Sequence, residues 1–216
     1  MAPRALRTLL RAIQAWDRLR LKRLQLRHPG LEIDPAASSN LACARYELGE
    51  GARLRIESGV VTERRNGRLH FHIEPGASVE IGAGSWLRTA IGEVHLVAFS
   101  GGVLEIGADC LLNGCHLSAK RQVVIRRRAM VGPGSRIFDA DQHDFDAERP
   151  ERSAPVDVGE CVWISGDCTV LRGVTIGAHS VVGARSLVSR DIPPHTLALG
   201  SPAEPRGSVG DRSHTR

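Results

Sequence analysis

Residues 158–188 read VGECVWISGDCTVLRGVTIGAHSVVGARSLV. Val158, Ile164, Val170, Ile176, Val182 and Val188 stand six residues apart. Four residues after each of the first five comes Val162, Cys168, Val174, Ser180 or Ser186, all small or of moderate size. Gly159, Gly177 and Gly183 directly follow three of the aliphatics. A helix would repeat every 3.6 residues and an ordinary half-buried strand every two. A period of six is neither. It fits short flat strands joined by tight turns around a prism, with aliphatics pointing inward and small residues letting the chain turn. Three hexads make a coil of about 18 residues, and stacked coils lie about 4.8 Å apart.

The pattern extends upstream. Ile106-Gly107 leads to Leu112, and Ile125, Val131 and Ile137 are again six apart. Weaker turns occur at Ile56, from Ile73 to Val79, and from Ile81-Gly82 to Leu87. Residues 50–190 are therefore expected to supply roughly seven or eight coils. A core made of stacked Ile and Val needs few aromatics, which agrees with an aromatic content of 4% and 23 glycines in 216 residues. The expected organisation is a basic amphipathic helix at 1–29, a β-helix domain at 30–203 with a loop insertion at 138–157, and a flexible tail at 204–216.

The charge sits at one end. Residues 1–28 carry eight Lys or Arg against Asp17, a net +7, so the remaining chain is −2 of the total +5. Nucleic acid is therefore not an expected partner. Ala5, Leu6, Leu9, Leu10, Ile13, Trp16, Leu19 and Leu24 recur at helical steps from residue 3 to residue 27, with arginines between them. Such a helix suits first of all packing on the main domain or a neighbouring subunit, with an anionic membrane face as the alternative. No apolar run reaches the length of a bilayer-spanning helix. Five cysteines without a CxxC pair fit neither a disulfide framework nor a zinc knuckle; they suit a reducing, cytoplasmic setting.

After Ile137 the hexads stop, returning at Val158, which reads as one coil plus three residues expelled from the prism. The interruption is polar and holds Pro150 and Pro155. His143 is its one histidine. Over residues 138–152, six acidic residues, Asp139, Asp141, Asp144, Asp146, Glu148 and Glu151, outweigh the arginines.

These features resemble the hexapeptide-repeat acyltransferases, a family of left-handed parallel β-helices, over roughly residues 50–206. The chain ends its repeat with Asp191-Ile192-Pro193-Pro194, then five residues, then Gly200-Ser201-Pro202-Ala203, similar to the closing motif of that family. The nearest branch in appearance is the sugar O-acetyltransferases of the maltose, galactoside, nodulation and capsule or O-antigen type. The resemblance implies acetyl-CoA as acyl donor, a sugar or glycan acceptor, and a homotrimer with sites at its seams. His143-Asp144 matches the second histidine of the family's His-x-His-Asp loop pattern, and Asp141 stands where the first would be. The implied roles are His143 as catalytic base, with Asp141, Asp144 or Asp146 orienting it and Asp141, Asp144 and Glu148 toward the acceptor. Trp163, Gly166, Ala178 and Ala184 would border the pantetheine arm. Gly200 and Pro202 would lie by adenine, and Arg185 and Arg190 by phosphates. An N-acyltransferase acting on an amino sugar, and a non-catalytic β-helix, are the alternatives. The γ-class carbonic anhydrases share the prism, but their His-x4-His spacing is missing here, so no metal is expected.

Overall fold

The structure is a computed structural model and describes residues 4–215. Pro3, in the expected helix, and Arg216, in the expected tail, lie outside the described residues. The chain folds as a left-handed parallel β-helix with one N-terminal helix, α1, at Arg4–Arg27. Three parallel sheets form the prism. Face I runs from Leu31–Ile33 to Thr175–Ile176, face II from Val61–Thr62 to Thr196–Leu199, and face III from Arg45–Leu48 to Leu187–Val188. The chain visits the faces in the order I, II, III, giving three edges: I/II, II/III and III/I.

The hexad aliphatics stack as expected. On face I, Ile33, Ile56, Ile81, Ile106, Ile125, Val158 and Ile176 pair in one inward row. Leu87, Leu112, Val131, Ile164 and Val182 line face II. Phe71, Leu96, Leu117, Ile137, Val170 and Val188 line face III. All are buried. The small hexad positions do more than avoid crowding. Ser135 donates to the Ser165 carbonyl at 2.7 Å and accepts from Cys168 N, and Ser180 likewise joins Pro193 O to Thr196 N. Buried hydroxyls thus satisfy main-chain groups between successive coils.

Two expectations change. The first coils are longer than three hexads: Ile56, Ile81 and Ile106 pair at steps of 25 residues, because their strands reach four or five residues. The insertion also omits no coil. Ile137 lies on face III and Val158 on face I, in register with Ile125, so the excursion leaves at the III/I edge and the prism continues unbroken. The glycines after the aliphatics also serve close approach between coils. A Cβ on Gly177 would meet Pro194 N at 2.2 Å. The left-handed backbone falls two residues later, at His179 (φ 60°).

Helix α1 covers the open end of the first coil, but not with the expected stripe. Leu21 and Asp17 face inward and are buried, with Ile13 and Leu24 beside them half-buried. Asp17 pairs with Arg64, Arg18 Nη2 donates to Ala37 O at 2.7 Å, and Gln25 Oε1 accepts from Ile33 N at 2.8 Å. Leu6, Leu9, Leu10, Trp16 and Leu19 are left exposed. Polar anchors, rather than the apolar stripe, set the docked face. Part of the expected loose tail is also ordered: Glu204–Ser208 adds an antiparallel strand to face II, and Arg212 donates from Nε to Cys161 O at 3.2 Å. The five cysteines are buried and unpaired.

Candidate active site

The excursion at the III/I edge is tied to the prism at its stem. Asp139 is fully buried, and its carboxylate accepts three successive main-chain N–H groups of the adjoining corner, Lys120 at 2.8 Å, Arg121 at 2.6 Å and Gln122 at 2.7 Å. Charge-assisted bonds of this kind are about twice as strong as neutral ones. Asp139 is thus an anchor of the corner and is shielded from any acceptor. Asp141 receives Arg172 Nε at 2.6 Å, and the guanidinium holds its carboxyl below the usual carboxylate range. Lys120 Nζ donates to both Glu151 oxygens, at 2.7 and 2.9 Å, reaches Gln142 O at 3.3 Å, and lies 5.0 Å over the Phe99 ring. Farther out, Asp144 Oδ1 accepts from Glu151 N at 2.6 Å, and Asp146 pairs with Arg149.

His143 sits among these ties at the exposed part of the loop, directly after Gln142 at φ 75°. Its ring takes no hydrogen bond or ion pair from any described residue. The expected orienting carboxylate is therefore not in place: Asp141 is held by Arg172, Asp144 by Glu151 and Asp146 by Arg149. Asp144, next to His143 in the chain, and Glu148, farther along the same loop, are exposed. Lys120 and Arg172, which fasten the loop, belong to neighbouring coils and carry no local signal in the sequence.

The residues expected at the donor side divide among the edges. Gly166, Ala184, Arg185, Gly200 and Pro202 line the II/III edge on successive turns. Arg185 N donates to Gly166 O at 3.0 Å, Leu187 N to Gly200 O at 2.9 Å, and Gly200 adopts φ 109°. Ala184 and Arg185 are exposed. Trp163 stands on face II, 41% exposed, with the Arg212 guanidinium 5.5 Å over its ring. Ala178 lies on the I/II edge and Arg190 on the III/I edge. One chain therefore gathers five of the eight expected donor-side residues along a single edge and leaves His143 on another.

Comparison with solved structures pairs the chain with NeuO, a polySia specific acetyltransferase, at TM-score 0.67 and 21% identity, over 86% of this chain and 78% of that one. AntD, an N-acyltransferase from Bacillus cereus studied as a mutant with dTDP and coenzyme A, aligns at TM-score 0.54 and 14% identity, over 76% and 85%. This chain thus has the left-handed β-helix fold of the acetyltransferases it resembles. Among sequences, the chain is 43% identical over 86 residues to a candidate acetyltransferase of Schizosaccharomyces pombe, covering 38% of this chain and 42% of that one. It is 50% identical over 54 residues to a candidate acetyltransferase of Staphylococcus aureus, covering 25% and 27%. The chain thus spans less than half the length of these relatives. No family model matches it.

Proposed function

We propose that the chain is a CoA-dependent O-acetyltransferase that moves an acetyl group from acetyl-CoA to a sugar hydroxyl, with His143 as general base. The observation that carries this reading is a free, exposed imidazole on an excursion whose stem is fastened by Asp139, Arg172–Asp141 and Lys120–Glu151. Acetyl-CoA supplies a thioester carbonyl and a thiolate leaving group. His143 takes the hydroxyl proton as oxygen attacks that carbonyl and returns a proton to the departing sulfur. Asp144 and Glu148, exposed on the same loop, suit hydrogen bonds from acceptor hydroxyls. Asp141, held by Arg172, acts as a positioning residue. Gly166, Ala184 and Gly200 present low side chains along the II/III edge, which fits a thin amide arm, and Arg185 beside them fits a phosphate.

The III/I and II/III edges flank face III. Their separation favours a site completed by a second copy, with His143 of one prism against the II/III edge of another, as in a homotrimer. An N-acyltransferase is the second reading: the exposed carboxylates of Asp144 and Glu148 on the His143 loop also suit a cationic amine. Labelled acetyl-CoA offered with neutral glycans, amino sugars, nucleotide sugars and lipid-linked oligosaccharides separates the readings. Transfer to glycan hydroxyls supports the first, and transfer to amines alone replaces it with the second. Coenzyme A binding without transfer to any acceptor contradicts both.

The exposed row Leu6, Leu9, Leu10, Trp16 and Leu19 supports an acceptor held near a lipid surface, as a surface polysaccharide precursor would be. The fold does not use this row, and it lies among arginines that attract anionic headgroups. No described helix is long and apolar enough to cross a membrane, so the contact would be peripheral. Sedimentation with anionic vesicles should pull down the chain, and Trp16→Ser with Leu9→Ser should release it.

A further inference from the structure

On face III, one outward row runs Arg45, His70, His95, His116 and Arg136, each paired with the next across adjacent coils. The His70 and His95 rings stack at 4.4 Å with 13° between their planes, and His116 follows at 5.6 Å. Glu93, one residue before the strand Val94–Ala98, reaches back beside them. Its Oε2 lies 3.1 Å from His95 Nε2 and 3.7 Å from His70 Nε2. One ligand atom from each of the three lies within 4.8 Å of the others. His70 Nε2 is buried without a hydrogen-bond partner, one of few side-chain atoms so placed among the described residues. A buried polar atom without a partner costs about 1–3 kcal/mol, and here it points to a missing ligand.

We propose that His70, Glu93 and His95 bind one divalent transition-metal ion of the zinc class. Two imidazole nitrogens and one carboxylate oxygen are a borderline-soft donor set, suited to zinc and its neighbours rather than to magnesium or calcium. Ligands about 2.1 Å from a tetrahedral ion stand about 3.4 Å apart. The two observed oxygen–nitrogen distances bracket that spacing, and the rings must rotate out of their stacked arrangement to point both nitrogen lone pairs at one ion. His72 is outside it: its Nδ1 is 2.7 Å from Glu47 Oε2. The ion would join two adjacent coils, since His70 and His95 are register partners. Glu93 is half-exposed, which leaves a position for water. This site stands on face III, on the two coils that precede His116, and is independent of the acyl-transfer reading.

The test uses the untagged, metal-stripped full chain titrated with zinc alone. Calorimetry and elemental analysis should give one tightly held ion per chain, and cobalt should bind with the visible absorption of a tetrahedral site. His70→Gln, His95→Gln and Glu93→Gln should each weaken binding by at least about tenfold, while His72→Gln leaves it unchanged. If the variants fold poorly, zinc should still protect His95 of the parent chain from ring-directed acylation. No bound zinc, or zinc retained by the His70→Gln/His95→Gln double variant, overturns the proposal.

Discussion

Arg172, on the coil that follows the excursion, donates from Nε to Asp141 Oδ1 at 2.6 Å, joining the regular prism to the loop that carries His143. Asp141→Asn and Arg172→Gln should therefore loosen residues 142–150 without unfolding the coils. Limited proteolysis should cut there faster, and acyl transfer should fall in kcat with the melting temperature nearly unchanged. Arg172 holds the Asp141 carboxyl below its ordinary range near pH 3.9. The folded state then binds fewer protons than the unfolded one just below that pH. The contribution is complete above it and is lost as pH falls through the depressed value. Protease resistance of the loop should stay flat from neutrality down to about pH 4 and drop below it, and Asp141→Asn should abolish that step.

Asp139 should matter for stability first. Its replacement by Ala leaves the N–H groups of Lys120, Arg121 and Gln122 without their shared acceptor. A loss of about 3 kcal/mol is expected, measurable by chemical denaturation. Asp139→Asn, which keeps one acceptor oxygen, should lose less.

Gly177→Ala tests the packing of the last coils. The added carbon would sit 2.2 Å from Pro194 N, a main-chain atom that cannot rotate aside. We expect a loss of about 2 kcal/mol or more, seen as a lower denaturation midpoint. Thr175→Ala, two residues away and exposed, should change little.

How far these features can be read in the sequence depends on the distance over which they act. The hexads from Ile164 to Val188 were readable because each strand there is two residues long, so one hexad aliphatic marks every face. In the earlier coils, strands such as Leu69–Ile73 present two or three inward residues, and counting in sixes misjudges their length. Longer coils also conceal the His70–His95 pair, whose 25-residue separation matches no short metal-ligand spacing. His143 stood out because the repeat breaks around it. Lys120 and Arg172 did not, since they act across roughly 30 residues of chain. For α1, the apolar periodicity predicted a helix, but buried Asp17 and its partner Arg64 decided which side docks.

The most direct measurement is acetyl transfer by His143→Ala, followed beside its thermal melting curve with the acceptor found by screening. A fall in kcat of about 10²–10⁴ with an unchanged melt is expected, because the ring is exposed and bonded to no described residue. Full turnover by the variant would contradict it.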